Sequence, residues 1–167
     1  LNILMEYARG GSLRSMLQRD GALGERTLRL YTLQLLSGLT CLHHRGIAHR
    51  DIKSANVLLS DSGLMLADFG ASKRLTSASL VSGLKGTPHW MAPEVIRAQQ
   101  TTSGWIQADV WSVGCTVHEL ITGAPPHFEH PPMPALFRIV NEQKPPIPPN
   151  VSATLHDFLS LFFLKDP

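Results

Sequence analysis

Four side chains able to handle a phosphate lie close together in this chain. Asp51, Lys53 and Asn56 share the run His49-Arg50-Asp51-Ile52-Lys53-Ser54-Ala55-Asn56, and Asp68 heads Asp68-Phe69-Gly70. A carboxylate such as Asp51 can orient a hydroxyl and take its proton. A cation such as Lys53 can offset charge on a group in transfer, and Asp68 and Asn56 offer the hard oxygens that magnesium prefers. Alone, Asp51 and Lys53 would amount to a loop salt bridge. The whole set at this spacing points to chemistry.

The elements that must position these residues follow from the hydrophobic pattern. Leu1 to Tyr7 reads as a short apolar strand, and Ala8 to Ser12 as a turn, with Ser12 an N-cap for a short helix through Leu17. Leu28, Tyr31, Leu35, Leu39 and Leu42 recur at helical spacing, and Gly46 is placed to end that helix. His43 and His44 suit the negative end of its dipole. Val57-Leu58-Leu59 and Leu64-Met65-Leu66 flank Asp61-Ser62-Gly63 as a hairpin, which would deliver Asp68 to the neighbourhood of Asp51 and Asn56. Residues 71–87 are rich in Ser, Thr and Gly and read as a mobile loop.

Beyond that loop, a short helix starts around Met91 to Ile96. Ala108 to Thr122 is apolar nearly all round, the mark of a buried helix, and Gly123 and Pro125-Pro126 stop it. A short helix near Ala135 to Val140 lies between Pro-rich runs, which read as rigid connections rather than polyproline ligands. Leu155, Phe158, Leu159, Phe162 and Phe163 form a last amphipathic helix.

Composition narrows the function classes. The 167 residues suffice for one domain with a sizeable core, and 43% hydrophobic content argues against disorder. A net charge of +2 is too small to argue for nucleic acid or an anionic membrane as partner. No apolar run approaches a membrane span. Cys41 and Cys115 sit in apolar helical stretches, lack metal-ligand spacing, and are expected as reduced core residues, which suits the cytoplasm. The sequence opens on Leu1 rather than Met, so a longer parent chain is expected.

The run H-R-D-x-K-x-x-N followed by D-F-G resembles the catalytic and metal-binding loops of protein kinases. The likeness extends along the chain. Gly86-Thr87-Pro88-His89-Trp90-Met91-Ala92-Pro93-Glu94 resembles the end of an activation segment. Asp109-Val110-Trp111-Ser112-Val113-Gly114-Cys115 resembles the start of the large lobe's buried central helix, and Met5-Glu6-Tyr7-Ala8-Arg9-Gly10-Gly11-Ser12 resembles the hinge. Lys53 and the Gly86-Thr87 pair match the serine/threonine kinases. Asp-Ile-Lys-Ser-Ala-Asn with Gly-Thr-Pro-x-Trp-Met-Ala-Pro-Glu is similar to mitogen-activated-protein-kinase kinase kinases of the STE group, although His89 stands where Tyr or Phe is usual.

The resemblance implies an α+β fold, mostly α-helical: residues 1–167 as a partial kinase domain, holding the hinge strand, small hairpins and most of the large lobe, without the small lobe. It implies ATP and Mg2+ as cofactors. Asp51 would be the base, with Asn56 and Asp68 on the metal and Lys53 on the phosphates. Met5 would be the gatekeeper, the backbones of Glu6 and Ala8 would meet adenine, Ser12 would lie near the ribose, and Leu58 would floor the pocket. Thr87 would bond Asp51 and Lys53, and Asp109 would hold the catalytic loop by its backbone. Arg50 would pair with a phosphate added to the activation loop, at Thr76, Ser77, Ser79 or Ser82, with Ser82 favoured by its distance from Thr87. Glu94 would take an Arg beyond residue 167 as ion partner.

The implied partners are a protein substrate, such as a MAP kinase kinase, and an upstream kinase or a second copy acting by autophosphorylation. Neither a Gly-rich phosphate loop nor a strand lysine with its glutamate occurs in the sequence, so the isolated 167 residues are expected to bind ATP poorly and transfer little. The competing reading is a non-catalytic interaction module. Such modules usually lose residues of the Asp51, Asn56 or Asp68 type, and here all are kept.

Overall fold

A computed structural model describes residues 6–75, 86–99 and 104–165. It is mostly helical, with two small antiparallel ribbons. Helix α1, Leu13–Asp20, buries Leu13, Met16 and Leu17. Ser12 caps it by accepting the Ser15 N–H, and it runs a turn past Leu17 to end at Gly21, whose φ of 80° suits a glycine. Helix α2, Glu25–His44, turns Leu28, Thr32, Leu35 and Leu39 inward. Gly46, at φ 66°, donates its N–H to the His43 carbonyl and closes the helix.

Strands β2, Val57–Ser60, and β3, Gly63–Leu66, form the expected hairpin, with Val57 opposite Leu66. Gln34 on α2 accepts the Leu64 N–H and pins the hairpin to the helix. The second ribbon pairs β1, Ile47–Ala48, with β4, Lys73–Arg74. Residues 73–74 thus form a strand where the sequence suggests only mobile loop. Two residues are too few for alternation to register, and the pairing is set by tertiary position. Residues 76–85 of that expected loop, with the strand positions Leu1 to Met5, lie outside the described residues.

A short helix α3, Pro93–Ile96, leads to α4, Gly104–Thr122, which starts earlier than its apolar run suggested and is buried nearly throughout. Helices α5, Pro132–Asn141, and α6, Ala153–Phe162, complete the fold. Gly114 marks where α4 and α6 close in, because a Cβ there would lie 2.5 Å from the Phe162 Cβ. Glu25 on α2 accepts both the N–H and the hydroxyl of Ser152, the cap of α6, and this bonding holds the Glu25 carboxyl below the usual range. Cys115 is core as expected, but Cys41 is exposed. Its position falls off the stripe of Leu28, Leu35 and Leu39, so apolar neighbours in sequence are not neighbours in space. Among the described residues no helix is long and apolar enough to cross a membrane.

Candidate active site

The site hangs from α4. Asp109 is fully buried and accepts three hydrogen bonds: Oδ1 from the Arg50 N–H at 2.7 Å, and Oδ2 from the His49 N–H at 2.8 Å and from His43 Nε2 at 2.9 Å. This grip holds Arg50 in a left-handed conformation, φ 71°, which side chains other than glycine adopt at a cost. His49 is buried beside it. Its Nδ1 lies 3.4 Å from the Asp51 N–H, so Nε2 carries the proton donated to the Ala67 carbonyl at 3.0 Å.

Around Asp51 the bonds close into a triangle. Lys53 Nζ donates to Asp51 Oδ2 at 2.7 Å and to Thr87 Oγ1 at 2.6 Å, and the Thr87 hydroxyl donates to Asp51 Oδ1 at 2.7 Å. Asn56 Nδ2 adds a bond to Oδ2 at 2.9 Å and another to the Asp51 carbonyl at 2.8 Å. Burial pushes the Asp51 carboxyl up, but the bonds from Lys53, Thr87 and Asn56 outweigh it and leave the group below its ordinary value. Asp51 is therefore ionised at neutral pH and aimed by three side chains.

Asn56 spends its amide hydrogens on Asp51, so its Oδ1 is the end left for a cation. The Ala67 N–H bonds the Asn56 carbonyl at 2.9 Å, which brings Asp68 in beside it. Asp68 is exposed, sits in a left-handed conformation that Asp tolerates, and accepts the Gly70 N–H. Among the described residues no group of three or more His, Cys, Asp or Glu is placed to hold a metal. One carboxylate and one amide oxygen instead suit Mg2+, which keeps waters and phosphate oxygens as its other ligands.

Beside Asp68 a hollow of about 520 Å³ is lined by Glu6, Leu58, Met65, Leu66 and Phe69. Of the residues that the resemblance implies for the nucleotide base and ribose, Glu6 and Leu58 line this hollow, while Ala8 and Ser12 are not among its walls. Ser12 is committed to capping α1, with its hydroxyl bonded to the Ser15 N–H and Oγ. The turn carrying Ala8 is stitched to β2 by Gly10 N–H to the Leu59 carbonyl and Leu59 N–H to that of Gly11. Only Gly10 fits there, since a Cβ would come 2.5 Å from the Leu59 Cβ. Glu94, in the first turn of α3, is half-buried, and burial pushes its carboxyl up. Met5 and Ser82 fall outside the described residues.

Sequence reasoning passed over Glu119. This carboxylate on α4 is 1% exposed and binds two parts of the site at once. Oε1 accepts the Ser54 hydroxyl at 2.6 Å; Oε2 accepts the Ser54 N–H and the Trp90 indole N–H, each at 3.2 Å. Ser54 follows Lys53, and Trp90 lies three residues after Thr87, so Glu119 backs both arms of the triangle. The signal was a lone Glu inside an apolar helix, a residue type seldom buried without partners. Glu119→Gln keeps one acceptor for both N–H donors and lets the Ser54 hydroxyl turn to accept, so unfolding free energy is expected to change by under about 1 kcal/mol. Glu119→Leu orphans two buried N–H groups and is expected to cost about 2–6 kcal/mol in denaturant titration. Equal costs for the two would contradict this account.

Comparison with known proteins agrees with the geometry. The family profile described as Protein kinase domain matches residues 1–167. The chain is 49% identical over its full length to the Cytokinesis protein sepH of Aspergillus terreus, covering 12% of that protein. It is 45% identical to Cell division control protein 7 of Schizosaccharomyces pombe, covering 15%, and 47% identical to Mitogen-activated protein kinase kinase kinase 2 of Arabidopsis thaliana, covering 26%, again over the whole chain. The chain thus spans a quarter or less of the length of most of the curated relatives it matches. With the kinase-like helical fold and the Asp51 loop in place, these matches establish that the chain belongs to the protein kinase family, among kinases of the STE type.

Proposed function

We propose that the protein carrying this chain is an ATP- and magnesium-dependent serine/threonine kinase that acts in a mitogen-activated protein kinase cascade. The observation that carries the reading is the Asp51–Lys53–Thr87 triangle. A substrate hydroxyl brought to Asp51 would be oriented by an ionised carboxylate and lose its proton to it. Lys53, held against Asp51, places a positive charge where the transferring phosphoryl gains negative charge. Asn56 and Asp68 would hold Mg2+, which would supply positive charge against the phosphates.

Thr87 bridges base and lysine from the activation-segment side, which supports a slot for Ser and Thr. The cascade assignment rests on the relative named a mitogen-activated protein kinase kinase kinase, and makes a MAP kinase kinase the expected substrate. The place of action is the cytoplasm. Control is by phosphorylation of the activation loop, by an upstream kinase or by autophosphorylation, with Ser82 as acceptor and Arg50 as its partner.

The test is phosphoamino acid analysis of a generic protein substrate after incubation with the intact protein and labelled ATP. Phosphoserine and phosphothreonine are expected; phosphotyrosine alone would overturn the specificity, and no label the activity. Ser82→Ala in the intact protein should lower turnover severalfold, and unchanged turnover would move the switch to another residue.

A further inference from the structure

Helix α1 carries an exposed cation beside the catalytic loop. The Arg14 side chain is 46% exposed, and its Nη1 lies 3.8 Å from Glu119 Oε1. That carboxylate is buried and already accepts the Ser54 hydroxyl, the Ser54 N–H and the Trp90 indole N–H. At 3.8 Å the contact with Arg14 is an ion pair without a hydrogen bond. Among the described residues Arg14 is the one cation paired with Glu119.

The place of this pair matters more than its strength. Ser54 follows Lys53, and Trp90 lies three residues after Thr87. Glu119 is thus buried behind both arms of the triangle at which an acceptor hydroxyl would meet Asp51. Helix α1 packs on the single turn Ser54–Asn56, which sets Arg14 on the solvent side of Glu119. A peptide chain lying along this edge would meet the exposed cation first and the carboxylate only behind it.

Arg14 does not spend its charge along its own helix. A carboxylate three or four places away would pair with it, but those places hold Gly10, Gly11, Leu17 and Gln18. Arg19, a turn further on, is paired with Asp20 at 2.7 Å and its charge is offset there. The Arg14 guanidinium carries five N–H donors in a planar fork, and its contact with Glu119 is too long to use one as a hydrogen bond.

We propose that Arg14 is a specificity-determining residue: it selects protein substrates with an acidic side chain, Asp or Glu, beside the acceptor Ser or Thr, and rejects those with Lys or Arg there. This deepens the kinase reading above and rests on it. A substrate carboxylate would take two of the fork's donors at once. A substrate cation would face a like charge, and that repulsion adds to the discrimination. Glu119 supplies a further consequence. With Arg14 removed, the nearest charge at this edge is negative, so the preference should vanish or invert.

The experiment gives the intact kinase labelled ATP and a set of peptides with one Ser in a neutral background. Glu or Lys is placed in turn at each position flanking the Ser, and the ratio of kcat/KM for the Glu and Lys peptides is read. At one position or more the wild type should favour Glu about two- to thirtyfold, the attraction and repulsion of a half-exposed ion pair taken together. Added salt should shrink that ratio, because screening acts on exposed charge. Arg14→Lys should keep most of it, and Arg14→Ala should bring it to one or below at the same position. Equal loss on both peptides in Arg14→Ala, with the ratio intact, means that Arg14 only braces Glu119 and overturns the proposal. A wild-type ratio near one at every position, or one that salt leaves unchanged, overturns it as well. Should Arg14→Ala not fold, Arg14→Gln decides on the same ratio. Absence of label on every peptide strikes the kinase reading itself, and is seen before any variant is made.

Discussion

Asp51→Asn in the intact kinase is expected to lower kcat by about 10²–10⁴-fold, the range for loss of a positioned general base. The fold should survive. An asparagine can turn its carbonyl to Lys53 Nζ and the Asn56 amide, which now meet Oδ2 at 2.7 and 2.9 Å, and its amide to the Thr87 hydroxyl. KM for ATP should barely move, because Asp51 reaches the acceptor hydroxyl and Asn56 and Asp68 serve the metal. Turnover above a tenth of wild type would remove Asp51 from its role. The pH profile gives a second check. The Asp51 carboxyl is held below its ordinary value despite burial, by Lys53, Thr87 and Asn56. Its contribution to stability is thus complete at neutral pH and is lost as pH falls beneath the ordinary aspartate range and through its lowered folded value. The acid limb of the rate profile belongs in the same range. Lys53→Met should move that limb to higher pH, since the largest of the opposing interactions is gone.

The fold was legible where the physics is local. Helix α2 announced itself by its stripe of leucines, α4 by an apolar surface on all sides, and the β2–β3 hairpin by two short runs around Asp61-Ser62-Gly63. What stayed hidden depends on distant partners. The β1–β4 ribbon has two residues per strand, and Lys73–Arg74 becomes a strand only because Ile47–Ala48 lies beside it. Cys41 looked like core because Leu39 and Leu42 flank it, yet rotation along α2 carries it to the outer face.

The candidate site divides along the same line. Asp51, Lys53, Asn56 and Asp68 could be read because their chemistry and spacing are written in adjacent residues. Thr87 and Asp109 came only through resemblance, and the structure brings both to the loop they were expected to reach. Glu119 and Arg14 escaped both routes. A single Glu in an apolar helix has no local meaning; it gains one when Ser54, Trp90 and Arg14 arrive from elsewhere in the chain.

A large loss of stability should come from Asp109→Ala. In the native chain this carboxylate is fully buried and is the acceptor for two backbone N–H groups, those of His49 and Arg50, as well as for His43 Nε2. Alanine leaves both backbone donors buried without a partner, at about 1–3 kcal/mol each, or about 2–6 kcal/mol together. That is a large share of the ~5–15 kcal/mol that holds a typical domain together. Asp109→Asn keeps one acceptor oxygen but turns an amide N–H2 toward a backbone N–H, so its cost should fall between wild type and alanine. The damage should also reach activity. Arg50 keeps its left-handed backbone because Asp109 grips it, and once released it would relax and carry Asp51, its chain neighbour, out of the Thr87–Lys53 triangle. Hydrogen exchange gives the local readout: the His49 and Arg50 amides should both exchange slowly in the wild type and quickly in Asp109→Ala, with Asp109→Asn losing protection at one of the two. If both amides stay protected and the unfolding free energy drops by less than about 1 kcal/mol, the catalytic loop is held by packing around Ile52 and Val57 instead, and the two bonds to Asp109 are bystanders.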